Sequence, residues 1–439
     1  MRIFKHYKKI CSIILLLFMM ISLEILFSKL LVPVTYADYF NKDIEKLCAH
    51  DKNSELIFIG ASRTYRTFVP EIFESELELD NVINAGSSSQ PYSASYYQLK
   101  DLLVDFTPKY VVLGVTGDKL VSSDLDQGKM IVWDRIRHKH IRTAFWCNCL
   151  ENSEKLYSLN SYRYRDNLSF TNIKEIRDEH IKIKNDSYKG DKSQTEYYAD
   201  TGFIYSNSTY DNGTIPICGE ADYSKDNIID SNKTWLDKIV DLCKQNNIEL
   251  FLVTGPTSMM RIYNIDNYQE ANDFYNNYAK ENNIVYHNLN LLKNRESILP
   301  DTFMHDYNHV NGEGAEIVSR IYAEILINYL NDNDTSEYFY QSVNELKKST
   351  DRVVGVKADI NCNENDIKIE VDSLQHKNIV PKYQILMSID GGEYEMVEEY
   401  TIKKSFVIDM PKCDSLKIKV NATNEKSTSF QAYQIYNIK

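Results

Sequence analysis

The sequence has no surplus of positive charge. Its 50 lysines and arginines stand against 63 aspartates and glutamates, a net charge of −13. Nucleic acid is thereby excluded as a partner, because its phosphates call for a basic footprint. A neutral sugar or a zwitterionic polymer is not excluded. Metal-ligand spacing is lacking too. None of the eight cysteines forms a CxxC pair, and Cys147 and Cys149 are too close for a zinc knuckle and awkward for a mutual disulfide. No metal or other cofactor is expected. With Cys11 inside the apolar N-terminal stretch, seven cysteines remain, an odd number that cannot all pair within one molecule. Cys362 with Cys413 is the first candidate for a disulfide; the alternative is that all are reduced and serve as small buried hydrophobes.

Long hydrophobic runs are absent save one, from Ile10 to about Val34, preceded by Arg2, Lys5, Lys8 and Lys9. A bilayer span needs roughly 20 residues, whereas the apolar core of a signal peptide has about 7–15. A basic head of this kind stays in the cytoplasm, and the chain beyond the span is exported. Residues 1–37 are therefore expected to be a cytoplasmic head and a single-pass transmembrane anchor, with the rest outside the cell. Cleavage at Thr35-Tyr36-Ala37 is the alternative. Lys29 can snorkel to the outer interface. Glu24 is costly inside hydrocarbon. It is read as lying near the headgroups of a slightly shorter span, with a partner protein as the alternative.

Beyond the anchor, 43% hydrophobic and 26% charged residues describe an ordinary globular body long enough for two or three domains. From Glu55 the pattern is strand, loop, helix, repeated. Leu56–Ile59, Val82–Gly86, Tyr110–Gly114, Glu249–Val253 and Ile284–Tyr286 read as short buried strands. Pro70–Leu77, Tyr92–Phe106, Ile229–Asn246, Tyr268–Glu281 and His309–Leu330 read as helices. This alternation predicts an α/β body: a doubly wound, five-stranded parallel sheet. Residues 38–345 would form it, interrupted by an irregular insertion at about 120–226 with one helix near Asn172–Ile183. Tyr197, Tyr198, Tyr205 and Tyr210 in the insertion are read as packing, with sugar stacking the alternative. From 351 to 439, helical spacing gives way to alternation such as Ile367-Lys368-Ile369-Glu370-Val371, with a hairpin signal at Asp390-Gly391-Gly392. That predicts a C-terminal antiparallel β-sandwich, immunoglobulin-like in style, serving as a spacer or binding module.

In open parallel sheets ligands bind beyond the carboxyl ends of the strands, where Gly60, Gly86, Gly114 and Gly255 fall. Three segments there carry candidate chemistry. Gly60-Ala61-Ser62-Arg63 comes directly after the first strand, and a serine at a strand-to-helix turn can present its hydroxyl above the sheet. Alone, the same serine reads as a helix cap. Asn84-Ala85-Gly86-Ser87 comes after the second strand; Gly86 is either a plain turn glycine or a backbone N–H offered to a substrate. Asp306-Tyr307-Asn308-His309 precedes the last helix. Asp306, three residues ahead of His309, can orient its ring so that the other nitrogen takes a proton from Ser62. A helix cap with an exposed histidine is the bland alternative. The adjacent His305 does not fit the spacing.

Taken in order, Ser62, Gly86, Asp306 and His309 resemble the SGNH (GDSL-like) hydrolase superfamily over about Glu55 to Leu330. Gly60-Ala61-Ser62, in place of Gly-Asp-Ser, looks more like its membrane-anchored DltD-type and alginate-acetylation subgroup. The resemblance implies a flavodoxin-like fold and Ser62, Asp306 and His309 as catalytic residues. It also implies an oxyanion hole drawn from Ser62, Gly86 and, by its hydroxyl, Thr116. The third block departs from the pattern: Gly114-Val115-Thr116-Gly117-Asp118 lacks the asparagine donor, and losing one such donor costs roughly 2.7–4 kcal/mol. The implied activity is that of a cell-surface serine esterase or O-acyltransferase working through an acyl-serine. The implied partners are an acylated cell-surface carbohydrate or wall polymer and a multispan membrane acyltransferase. The alternative is a non-catalytic surface protein, a degenerate SGNH scaffold whose β-sandwich does the binding.

Overall fold

Successive residues of a strand point to opposite faces, so a run that is apolar throughout must be covered on both. A computed structural model of the chain, describing all residues except 1, 123–125, 192, 211–221, 266, 428, 430 and 439, shows how this is met. Strands β1 (Leu56–Ile59), β2 (Ile83–Asn84), β3 (Tyr110–Gly114), β4 (Glu196–Tyr198), β5 (Ile204–Ser206), β6 (Glu249–Thr254) and β7 (Val285–Asn288) precede the C-terminal region. Five of them form the central sheet in the order β2-β1-β3-β6-β7, all parallel; β4 and β5 make a separate antiparallel hairpin. Leu56, Phe58, Val112 and Phe251 face the helices Pro70–Leu77 and Gly312–Leu330, in a core where Phe58 stacks on Phe68 at 4.6 Å. Ile57, Ile59, Val111, Leu113, Leu250 and Leu252 face the helices Tyr92–Leu102, Asp230–Gln245 and Tyr268–Asn282. The expected doubly wound sheet is present.

Two boundaries near the site differ from expectation. The second strand is regular only over Ile83–Asn84; beyond it the Ala85 and Ser87 N–H groups still donate to the carbonyls of Phe58 and Gly60, while the Gly86 N–H turns to a side chain, Asn84 Oδ1. The last helix starts at Gly312, where Asn311 caps it by accepting the Gly314 N–H at 3.0 Å, so His309 stays in a loop. The insertion is also less irregular than its composition suggests. Besides Phe170–Lys184 it holds helices at Asp126–Arg135 and Lys139–Asn148. Helical periodicity is hidden there because polar residues point inward. Lys129 is buried against Glu154 at 3.0 Å, and buried Arg135 donates to the carbonyls of Ala85 and Gly86. Tyr197, Tyr198, Tyr205 and Tyr210 are all buried, which bears out packing as their role.

In the C-terminal region β8 (Gly355–Cys362), β9 (Asp366–Leu374), β10 (Pro381–Ile389), β11 (Glu395–Thr401), β12 (Ser405–Asp409), β13 (Leu416–Asn424) and β14 (Ala432–Asn437) form two antiparallel sheets. The sheets are β11-β10-β13-β14 and β12-β9-β8, and Ile367, Ile369 and Val371 share one core with Ile385, Ile418 and Val420. Asp390-Gly391-Gly392 does make the turn between β10 and β11, with Asp390 and Gly391 at φ +50° and +76°. The Cys362–Cys413 pairing is not made. Cys362 is exposed at the end of β8 and Cys413 is half-buried against the Pro411 carbonyl. At the other end of the chain, Arg2–Leu31 is a helix whose Lys9–Leu31 stretch is long and apolar enough to cross a membrane.

Candidate active site

The site begins with space left by glycines. Gly60 has φ +149°, and a Cβ there would lie 2.4 Å from Thr64 Oγ1 and 3.0 Å from the Gly114 carbonyl oxygen. Two bare strand ends let the chain turn sharply after β1 and start a short helix, Ser62–Tyr65, over the carboxyl end of the sheet. Asn84, fully buried in β2, holds that helix from beside it. Its Nδ2 donates to the carbonyls of Thr64 at 3.1 Å and Phe68 at 2.7 Å, and its Oδ1 accepts the Gly86 N–H at 3.2 Å.

His309 arrives from 247 residues farther along. Its loop is closed by the His305 N–H donating to the His309 carbonyl at 2.8 Å. Asp306 Oδ1 accepts the backbone N–H groups of Asn308 at 2.6 Å and His309 at 2.9 Å, which brings the carboxylate against the ring. His309 Nδ1 lies 2.9 Å from both Asp306 oxygens, and Nε2 lies 2.7 Å from Ser62 Oγ. The network assigns the tautomer: Nδ1–H donates to the carboxylate, and Nε2 accepts from the Ser62 hydroxyl. Ser62, His309 and Asp306 are therefore brought together. His305 bonds Ser206 Oγ of β5 through Nδ1 at 2.7 Å, and its Nε2 lies 3.7 Å from Asp306 Oδ2.

Electrostatics suit proton acceptance by the ring. Burial pushes the His309 pKa down, and this outweighs the bond to Asp306 that would raise it; Arg63 and Arg66 lower it further. A neutral imidazole at neutral pH can act as a base. Burial would raise the Asp306 carboxyl, but the His309 bond, the His309 charge interaction and the Asn308 N–H prevail and hold it down at about 2.

Behind the serine lies a cluster that sequence reasoning missed. Asp118 accepts from Arg63 Nη2 at 3.2 Å, from Arg261 Nη2 at 2.8 Å and from the Tyr223 hydroxyl at 2.7 Å. The two arginines also converge on Asn308 Oδ1, Arg261 at 2.5 Å and Arg63 at 3.3 Å. Burial would raise the Asp118 carboxyl, but the two guanidiniums overcome this and hold it below its ordinary range. The cluster ties the serine turn, the loop after β3 and the histidine loop together. Arg63 and Asn308 were visible as neighbours of Ser62 and His309, but nothing in the sequence marked Arg261.

The site opens into a cavity of about 200 Å³ lined by Ser62, His309, Tyr92, Thr116, Asp118 and Lys119, among others. Thr116 thus stands with the serine. Gly86, expected to offer its N–H to the oxyanion, has that N–H bonded to Asn84 Oδ1 at 3.2 Å. The position also leaves no room for a side chain: a Cβ there would meet the Tyr65 backbone nitrogen at 2.9 Å and Thr64 Cβ at 3.0 Å.

No protein-family model matches the chain, and no curated protein matches it. Among solved structures it is similar to a GDSL-like lipase from Bacteroides thetaiotaomicron VPI-5482. The TM-score is 0.30 at 13% sequence identity, over 66% of this chain and 99% of that one. A likeness that slight says nothing of activity.

Proposed function

We propose that this chain is an SGNH-type serine esterase or O-acyltransferase, of the DltD-type and alginate-acetylation subgroup, held at the cell surface by its N-terminal helix. The observation that carries this is the relay from Ser62 through His309 to Asp306, at 2.7 and 2.9 Å. In the cycle, His309 Nε2 takes the Ser62 proton as Oγ attacks an ester carbonyl, and Asp306 steadies the imidazolium. Ser62 opens its helix, so its own N–H has no intrahelical acceptor and faces the developing oxyanion. The Thr116 hydroxyl is the second donor. Collapse expels the alcohol with the His309 proton and leaves an acyl-serine. Water then gives an esterase, and a sugar hydroxyl gives a transferase. The small size of the cavity, about 200 Å³, favours a short acyl group over a long fatty chain.

The substrate we propose is an acylated cell-surface carbohydrate or wall polymer, with a multispan membrane acyltransferase as neighbour. Residues 1–37 serve as head and anchor, 38–345 as the catalytic body and 351–439 as an accessory module. Retention of the anchor is supported at the candidate cleavage site. Thr35 caps the helix Tyr36–Ala49 and Ala37 is buried, so cutting after Ala37 would remove a cap in use. The commitment of the Gly86 N–H to Asn84 favours the second reading, a non-catalytic scaffold. A fluorophosphonate probe separates the two. Mass spectrometry should find the adduct on Ser62 and lose it in Ser62→Ala; an unmodified Ser62 after prolonged exposure would support the scaffold.

A further inference from the structure

The apolar helix does not leave the body freely. Its residues from Ile10 to Leu23 touch little of the protein, but from Glu24 to Leu31 it packs against the insertion. Glu24 accepts the backbone N–H groups of Asn160 at 2.6 Å and Ser161 at 3.3 Å, and Ser28 Oγ accepts from Asn160 Nδ2 at 3.0 Å. Asn167 Nδ2 donates to the Leu31 carbonyl at 2.9 Å, and His180 Nε2 lies 3.1 Å from the Val32 carbonyl. The acid that looked costly in a span therefore has its partner within the same chain.

Length turns this contact into a constraint. The free stretch from Ile10 to Leu23 covers only about 21 Å at 1.5 Å per residue. The hydrocarbon core is about 30 Å thick. Filling it draws the Glu24–Leu31 turns into the outer boundary, and the insertion segments bonded to them go with it. Those segments carry an uncovered apolar patch: Leu156, Tyr157, Leu159, Tyr162, Leu168 and Phe170. Phe170 is 97% exposed and Leu168 63%. Each lies within a few residues of a side chain or backbone group that holds the helix, and the rings of Tyr157 and Tyr162 touch at 5.4 Å. Basic side chains sit over the aromatic rings, Lys155 on Trp146 and Arg165 on Tyr162. Apolar tips, tyrosines and flanking cations are what a bilayer interface accepts.

We infer that this patch of the insertion docks on the outer leaflet, seating the body on the lipid surface beside its own anchor. The inference rests on the reading of Lys9–Leu31 as a membrane span. The test uses the full-length protein in phosphatidylcholine–phosphatidylglycerol vesicles carrying a lipid with a photoactivatable acyl chain, with peptide mapping of the products. Adducts are expected on the helix and on residues 156–170, and Leu168→Asp with Phe170→Asp should remove the second set while sparing the first. Both side chains are exposed, and an unchanged melting temperature would confirm that the variant is folded. Adducts confined to the helix would overturn the docking and leave the patch to a protein partner, with the anchor intact. An unlabelled helix would overturn the anchor itself, and the docking with it.

Discussion

Replacing Arg261 by methionine tests whether the cluster behind Ser62 sets the catalytic geometry. Arg261 is buried, and it donates to Asn308 Oδ1 at 2.5 Å and to Asp118 at 2.8 Å. Methionine keeps apolar bulk and removes the charge. Breaking a buried ion pair from one side costs about 3–5 kcal/mol. Asp118 keeps Arg63 at 3.2 Å and the Tyr223 hydroxyl at 2.7 Å, and its side chain is 32% exposed, so the remaining charge is partly solvated. A loss of about 2–3 kcal/mol is therefore expected, which lowers the melting temperature by roughly 4–8 °C. The kinetic effect separates positioning from bulk stability. Asn308 immediately precedes His309, and a shift of about 1 Å in the base costs on the order of 100-fold. Fluorophosphonate labelling of Ser62, measured well below the melting transition, should slow by that order. Asn308→Ala should slow it similarly, and the double variant should add little, since both changes act through one contact. Labelling at the wild-type rate in Arg261→Met, or full additivity in the double variant, would refute the positioning role.

The same geometry sets other outcomes. His309 must be neutral to take the Ser62 proton, and its pKa is lowered from 6.5. The labelling rate should therefore be flat through neutral pH and fall only as acid is added past a midpoint below 6.5; a midpoint above 7 would contradict the burial argument. Asp306→Asn should cost on the order of 10⁴-fold in turnover of an activated ester by favouring the wrong tautomer. If Thr116 supplies the second oxyanion donor, Thr116→Val should cost about 100- to 1,000-fold in turnover while Thr116→Ser retains most of it; equal rates in the two variants would remove Thr116 from the site. Gly86→Ala should destabilise by about 1–3 kcal/mol in urea titration, because its Cβ would press on the Tyr65 backbone.

The parts of the fold legible in the sequence are those with one dominant signal. The strands at Leu56–Ile59 and Tyr110–Gly114 and the helix Pro70–Leu77 end where expected, since each is an apolar run or stripe bounded by glycine or proline. The insertion was hard to read because its core is partly ionic: buried Lys129, Glu154 and Arg135 look like surface residues in sequence. Ser62, Asp306 and His309 could be singled out because short spacing and strand-end placement reflect real contact. The bond from the Gly86 N–H to Asn84 Oδ1 has no signature in the sequence, although the two residues lie only two positions apart. Arg261 has no local signature. Its importance comes from two contacts made across 143 and 47 residues, which no window of sequence contains.

The insertion connects these features. Arg135 braces the β2 loop through the carbonyls of Ala85 and Gly86, and Ser206 of its hairpin holds His305, whose backbone N–H bonds the His309 carbonyl. The same insertion receives Glu24 and Ser28 of the apolar helix at Asn160. A single segment of chain therefore touches the N-terminal helix on one side and two loops of the candidate site on the other. An insertion that served only as a lid would need the second set of contacts and not the first. One that served only as a stalk would need the first and not the second. Having both, it fixes the direction in which the Ser62 cavity opens relative to the helix; under the proposed function, a substrate tethered to the same surface would meet the serine in a restricted orientation. That restriction is a form of preorganisation: it limits the orientational freedom that remains to be lost when substrate and nucleophile meet.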